Sequence, residues 1–324
     1  MTVGEALAEG KRLLRSPCAT AFIDTPDLDA ALLLAEILQA GRTELIVRAH
    51  EDIAEQDRAK FLRLVERRRS GECAAYILGR KEFRGLMFSV NPHVLVPRPD
   101  TETLVEKALD CIDSIAAQGN ISLLDLCTGS GAVAISLKSE RPFLSVSASD
   151  ISAGALETAA LNAARLLDEG LSAKGPPVRF MQSDIFNNIP GKFDIIVSNP
   201  PYIPSGEIPA LAPELRWEPR LALDGGGDGL SLIREIISRS PERLLPGGLL
   251  LLEAGLGQIP AIRALLEANR FSGIRVYKDL AGKERVISAI PMIRNYPQKT
   301  GRGRAIGGLS DFTYMRPASF LYQL

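Results

Sequence analysis

A doubly wound, mostly parallel α/β sheet behind a small all-α unit is the fold this sequence predicts. From residue 121 to 290, short apolar runs alternate with amphipathic stretches, the pattern of parallel strands joined by crossover helices. One of these runs, in Phe193–Ser198, is continuous and β-branched at Ile195, Ile196 and Val197 and stops at Asn199-Pro200-Pro201-Tyr202. A strand buried on both faces has this composition. Residues 1–72, by contrast, keep helical spacing throughout.

The chain has 324 residues, long for one core, so a large domain with a smaller companion is expected. Its 46% hydrophobic and 24% charged residues are those of a soluble globular protein. A net charge of −1 gives nucleic acid no whole-molecule attraction, so direct nucleic-acid binding is not expected, although a local basic face stays open. No run has the length of a membrane span, and the N-terminus lacks the apolar core of a signal peptide. A cytoplasmic location without membrane contact is therefore expected. Cys18, Cys73, Cys111 and Cys127 stand far apart, without a Cys-x-x-Cys pair, and His50 and His93 are the two histidines. That composition points to reduced thiols and to no metal site. It also leaves little material for Ser-His-Asp chemistry, and no phosphate-binding Gly-x-x-x-x-Gly-Lys loop is present.

Residues 1–72 read as a helical bundle suited to substrate recognition. Thr25-Pro26-Asp27 supplies an N-cap and a proline for the first helical position. Ala54–Arg69 ends in Arg67-Arg68-Arg69, a charge run that complements a helix C-terminus and reads as a solvated end, with an acidic or nucleic-acid partner as the alternative. Residues 73–100 form a linker. Ala75–Val90 carries aromatics and glycines at hairpin spacing, and Pro97-Arg98-Pro99 holds one arginine on an extended backbone. Asp100 or Thr101 then caps a helix with Leu104, Ala108, Cys111 and Ile115 on one face. The large domain spans 101–290, with strands at Ile121–Leu126, Leu144–Ala148, Val178–Met181, Ile195–Ser198, Leu249–Leu252, Ile274–Tyr277 and Arg285–Ala289. Helices are expected at Ala132–Glu140, Ala153–Asp168, Leu230–Leu244 and Gln258–Asn269. Residues 291–324 break the pattern and read as a flexible extension.

The first strand of this domain runs into Cys127-Thr128-Gly129-Ser130-Gly131, and Asp150 ends the second. Glycines let the backbone turn sharply while a ligand approaches, and a carboxylate at the next strand end can accept both hydroxyls of a ribose. This pair of features serves a dinucleotide or any other adenosine. Asn199–Tyr202 separates those options. Hydride transfer usually needs an acid that this turn does not supply. Methyl transfer from S-adenosylmethionine needs no metal and mostly positioning. The Asn199 side-chain oxygen and the Pro200 carbonyl can accept both N–H bonds of a planar NH2 group, favouring lone-pair density on its nitrogen. Tyr202 offers a face to stack on, worth roughly 1 kcal/mol, and Pro200 with Pro201 stiffens the turn. Asp184 and Ile185, after the third strand, are placed for the adenine amino group and ring. Amide and adenine acceptors both satisfy this chemistry.

Asn-Pro-Pro-Tyr after the fourth strand of such a sheet resembles the amino-methyltransferases. Further residues narrow the resemblance: Tyr76–Phe83, Gly85, Phe88, Val90, then Val94-Leu95-Val96-Pro97-Arg98-Pro99-Asp100-Thr101-Glu102, and Arg216-Trp217-Glu218-Pro219 with Leu221-Ala222-Leu223. Over about 73–290 the chain resembles the peptide chain release factor glutamine methyltransferases (the PrmC/HemK family). The resemblance implies a seven-stranded, Rossmann-like methyltransferase sheet with a small N-terminal all-α domain joined by a β-hairpin linker. It implies methylation of the glutamine amide in the Gly-Gly-Gln motif of class I release factors. Asn199, Pro200, Pro201 and Tyr202 would hold that amide, with Asn199 and Pro200 catalytic. Cys127, Thr128, Gly129, Ser130, Gly131, Asp150, Asp184, Ile185 and Asn199 would bind S-adenosylmethionine. Cys127 stands where the family most often has glycine, and Asp100 where it more often has glutamate.

Overall fold

The computed structural model describes residues 1–15, 23–116, 119–167 and 175–292. Of the extension expected from 291, only Pro291 and Met292 fall among them. The N-terminal bundle consists of α1 (Val3–Leu14), α2 (Pro26–Leu38), α3 (Arg42–Val47) and α4 (Glu55–Arg69). A capping box starts α1: the Thr2 hydroxyl accepts from the Glu5 N–H while the Glu5 carboxylate accepts from the Thr2 N–H. Two satisfied orphan donors fix that terminus. Val3, Leu33, Leu34, Phe61 and Val65 form the bundle core, each 1% exposed or less.

Two local expectations change here. Thr25 stands before α2 without capping it; its hydroxyl donates to Asp29 at 3.0 Å instead. The triple arginine is not simply a solvated end. Arg67 and Arg69 pair with nearby Glu72 and Glu66, but Arg68 is buried. Its Nε donates to Asp29 at 2.6 Å, its Nη1 to the Glu72 carbonyl at 3.2 Å, and its Nη2 pairs with Glu214 of the large domain. Long-range pairing, invisible in a local charge run, turns this residue inward.

In the linker the expected hairpin begins later than the sequence pattern indicates. Ala74–Leu78 forms α5, closed by Gly79 in the left-handed conformation. Then β1 (Arg80–Phe83) and β2 (Leu86–Ser89) pair antiparallel, with Arg84 and Gly85 both at positive φ in the two-residue turn. The segment beyond β2 is pinned by the Tyr76 phenol, which donates to the Val94 carbonyl at 2.6 Å.

The large domain follows with α6 (Glu102–Ile115), β3 (Ser122–Leu126), α7 (Ala132–Glu140), β4 (Ser145–Asp150), α8 (Ala153–Leu166), β5 (Arg179–Gln182), β6 (Phe193–Ser198), α9 (Ser231–Arg243), β7 (Leu244–Glu253), α10 (Ile259–Ala268), β8 (Phe271–Lys278) and β9 (Glu284–Pro291). The sheet order is β5-β4-β3-β6-β7-β9-β8. Strands β3 to β7 are parallel, and β9 is antiparallel to both β7 and β8. Alternation along each strand feeds two cores. Leu123, Val146, Ile195 and Val197 pack with α6 and α7, while Leu124, Leu126, Ile196 and Leu250 pack with α9 and α10. After β5 at one edge the chain returns to lay β6 beside β3. That reversal opens a crevice at the strands' carboxyl ends, where open α/β sheets bind ligands.

Candidate functional site

The turn after β3 crosses this crevice in a conformation that side chains resist. Cys127, Gly129 and Gly131 lie at φ +59°, +54° and +82°. At φ +82° any side chain on Gly131 would be strained, and its Cβ would also press to 2.7 Å from Ile135 Cδ1. A Cβ on Gly129 would meet nothing within 4 Å, because that side of the loop faces open space. Cys127 carries its side chain at positive φ, a conformation that favours glycine. Its thiol is pushed up from the usual range, chiefly by burial. Beneath the loop, Asp125 is 1% exposed. Its carboxylate accepts from the Thr128 hydroxyl at 2.6 Å and the Ala134 N–H at 3.2 Å, and burial raises its pKa to about 7.

Asp150 ends β4 beside the loop. One oxygen accepts the Gly129 N–H at 2.9 Å and the other the Ser152 N–H at 3.0 Å. Burial raises its pKa and these backbone donors lower it. Ile185 holds φ +46°, unusual for a β-branched residue and of the order of 1–3 kcal/mol in strain. Around these residues lies a cavity of about 460 Å³, lined by Cys127, Thr128, Gly129, Ser130, Asp150, Asp184, Ile185 and Asn199 among others. Gly131 stands behind the wall, shaping the turn without lining it.

The turn after β6 forms the other wall. Pro200 is buried, while Asn199, Pro201 and Tyr202 are half-buried. The Ser198 hydroxyl donates to the Leu126 carbonyl at 2.8 Å, tying this turn to the loop after β3. Ile203 then bonds to Leu223 and Gly225, which fastens the turn to the 220s. A second cavity, of about 270 Å³, lies against Asn199, Pro200 and Tyr202. Leu95, Arg98, Asn199 and Ala222 line both cavities, so Asn199 stands where the two meet.

Sequence reasoning did not assign the supports of that turn. Asn199 Nδ2 donates to Thr101 Oγ1 at 3.0 Å, and the Tyr202 phenol to Glu253 at 3.4 Å. Arg98, held extended between its prolines, pairs with buried Glu218, which also accepts the Val96 N–H at 3.2 Å. Asp100, despite its shorter side chain, reaches Arg285 at 2.9 Å. A polar residue in an apolar strand was the available signal for Glu253. Thr101 carried no signal beyond helix capping. Among the described residues, no cluster of His, Cys, Asp and Glu could hold a metal ion, and no helix is long and apolar enough to cross a membrane.

Known proteins share this organisation. The model of the PrmC N-terminal domain matches residues 5–79, and that of the methyltransferase small domain matches 108–228. The release factor glutamine methyltransferase of Burkholderia pseudomallei is 46% identical over 260 residues, covering 80% of this chain and 90% of that protein. Its namesake from Neisseria gonorrhoeae is 45% identical over 264 residues, covering 81% and 92%. Among solved structures, the catalytic domain of hMettl16 in complex with the MAT2A 3′UTR hairpin 6 superposes with a TM-score of 0.50. At 12% identity over 72% of this chain and 81% of that one, it shares the fold alone. Identity of this extent, with family models matching both the bundle and part of the sheet domain, shows that the chain belongs to the release factor glutamine methyltransferase family.

Proposed function

We propose that this protein transfers a methyl group from S-adenosylmethionine to the side-chain amide nitrogen of the glutamine in the Gly-Gly-Gln motif of class I release factors, in the cytoplasm. The observation that carries the reading is the position of Asn199 between the two cavities. A donor on one side and an amide on the other would meet at that residue.

The larger cavity suits the donor. Both Asp150 oxygens keep lone pairs beyond the backbone N–H groups they accept, free for ribose hydroxyls. The open side of Gly129 admits a ligand against the main chain, Asp184 is exposed at the rim for an adenine amino group, and Ile185 offers an apolar wall. Thr128, Ser130 and Cys127 complete the cradle that Gly131 shapes. When bound, S-adenosylmethionine supplies an electrophilic methyl on a sulfonium.

The chain's own residues position the acceptor. With Nδ2 turned to Thr101, Asn199 has its Oδ1 available for one amide N–H, and the Pro200 carbonyl can take the other. Both contacts strengthen as the nitrogen's lone pair localises, so they favour the transition state over the resting amide. Tyr202, fixed through its phenol, gives the planar amide a face to lie on. Pro201 keeps the turn rigid. The N-terminal bundle, joined to the large domain through Arg68 and Glu214, would grip the release factor.

The test is incubation of labelled methyl donor with a purified release factor, its Gln→Ala variant and duplex DNA. Label on the parent factor alone supports the function, and label on DNA instead of protein assigns the site to adenine. Calorimetry with S-adenosylmethionine and NAD checks the donor. Binding of NAD without the methyl donor would overturn it.

A further inference from the structure

The larger cavity is bordered by acids far more than by bases. Asp125, Asp150, Asp184, Asp224 and Glu235 all line it, whereas Arg98 is the one lysine or arginine among the described residues that does. His93 lines it too, packed against Gly154, where an added Cβ would come to 2.8 Å from the His93 Cγ. Gly154 lies in the first turn of α8, just past Asp150, so this imidazole belongs to the end of the cavity assigned to the ribose. Arg98 belongs to the other end. It lines both cavities together with Asn199 and just precedes Thr101, whose Oγ1 accepts from Asn199 Nδ2 at 3.0 Å.

The surroundings of Arg98 fix its side chain without using it up. Its backbone is extended, at φ −103° and ψ 144°, between Pro97 and Pro99. Its Nη2 pairs with Glu218, whose side chain is 1% exposed, while the Arg98 side chain keeps 36% of its surface open. Glu218 also accepts the Val96 N–H at 3.2 Å, so one buried carboxylate holds the guanidinium and the main chain on the far side of Pro97. A guanidinium carries N–H donors on all three of its nitrogens. Those on Nε and Nη1 form no hydrogen bond among the described residues. Glu218 offsets enough of the charge to make a half-buried arginine tolerable, yet one edge of the fork stays free.

The free edge of a fixed guanidinium fork matches a carboxylate. S-adenosylmethionine carries one at its methionine end, a few bonds from the sulfonium. With the ribose at Asp150 and the methyl directed at Asn199, that end falls on the Arg98 side of the cavity. The acidic side chains of the wall would repel it, so Arg98 is the cation it can meet there. We propose that Arg98 binds the carboxylate of the donor's methionine end, and that Glu218, acting through Arg98, is the positioning residue that aims the guanidinium. The inference rests on the methyl-transfer reading above and deepens it at the same site.

The experiment uses calorimetry on the full chain as wild type, Arg98→Gln, Arg98→Lys and Glu218→Gln, with thermal melts to show that each is folded. Two ligands are compared: S-adenosylmethionine and its decarboxylated form, which keeps the adenosine and the sulfonium but lacks the carboxylate. Arg98→Gln should weaken S-adenosylmethionine by about 10–100-fold, the loss of hydrogen bonds between charged groups, and leave the decarboxylated ligand within a few-fold. Arg98→Lys should fall between, because an ammonium keeps the charge and loses the fork. Glu218→Gln should lose affinity for S-adenosylmethionine selectively and by less than Arg98→Gln. An Arg98→Gln protein that binds S-adenosylmethionine like the wild type overturns the inference alone. So does one that loses both ligands equally, since Arg98 would then only shape the cavity. A raised KM for the release factor with both donor affinities unchanged would assign the cation to the acceptor and also overturn it. Loss of both ligands in equal measure in Glu218→Gln removes the positioning role. A wild type that binds neither ligand overturns the function and this inference with it.

Discussion

Around Gly129 the wall of the cleft is main chain. Cys127, Gly129 and Gly131 lie at positive φ, and Asp125, bonded to Thr128 and Ala134, holds the loop from below. Around Asn199 the wall is side chain. Thr101, Glu253 and the Arg98–Glu218 pair reach this turn from segments far apart in sequence. Two of the buried carboxylates mark the contrast: Asp125 bonds within its own loop, whereas Glu253 accepts from Tyr202 of another segment and has one oxygen without a partner among the described residues. A backbone cradle needs permissive conformations and tolerates a changed side chain, as Cys127 does. A side-chain cluster depends on each contributor and on the packing that brings them together.

The largest expected effect tests that packing. Arg68→Ala leaves Asp29 buried without its cation and frees Glu214, which belongs to the Pro213–Trp217 turn near the acceptor wall. Loss of one partner from a buried pair should destabilise the protein by about 3–5 kcal/mol. Denaturant melts would read this, and an unchanged midpoint would detach the bundle from the argument. Next, Asn199→Ala should lower kcat by about 10²–10³, the range for removing one preorganised polar contact, while calorimetry finds donor affinity within a few-fold. A near-normal turnover would leave the acceptor side without its central residue. On the other wall, Asp150→Ala should act on binding, weakening S-adenosylmethionine by about 10–100-fold, as charge-assisted hydrogen bonds are lost. Unchanged affinity would refute the ribose contact. The smallest effect separates backbone from side chain at Cys127. Cys127→Gly should stay within about 1 kcal/mol of the parent, whereas Cys127→Val, β-branched at φ +59°, should cost about 1–3 kcal/mol. Equal melting temperatures for the two would remove conformation as the constraint.

Much of the fold was legible because its signals are local. The apolar runs at Ile121, Leu144, Val178, Ile195, Leu249, Ile274 and Arg285 all became strands, and Ala132–Glu140 is helical over the span that its spacing predicts. Where tertiary contacts compete, local reading failed. Ala74–Leu78 has a hairpin-like composition but coils into a helix stopped by Gly79. Thr25 and Thr101 have the residue type and place of helix caps, yet their hydroxyls serve Asp29 and Asn199. Arg68 sits in a charge run typical of a surface and is buried by partners 39 residues before it and 146 after it.

By itself, the sequence determined the parallel sheet, the glycine turn after β3 with its carboxylate at Asp150, and the stiff Asn199-Pro200-Pro201-Tyr202 turn after β6. Periodicity and turn chemistry act over a few residues, so each of these is written in one place. Only the tertiary structure decided that two cavities meet at Asn199, that Arg98 is held by Glu218, and that Glu253 accepts the Tyr202 phenol. Those relations join strand ends that the chain visits at separate times. Hydrogen-bond direction in a buried cluster depends on every member being present, which no single stretch of sequence encodes.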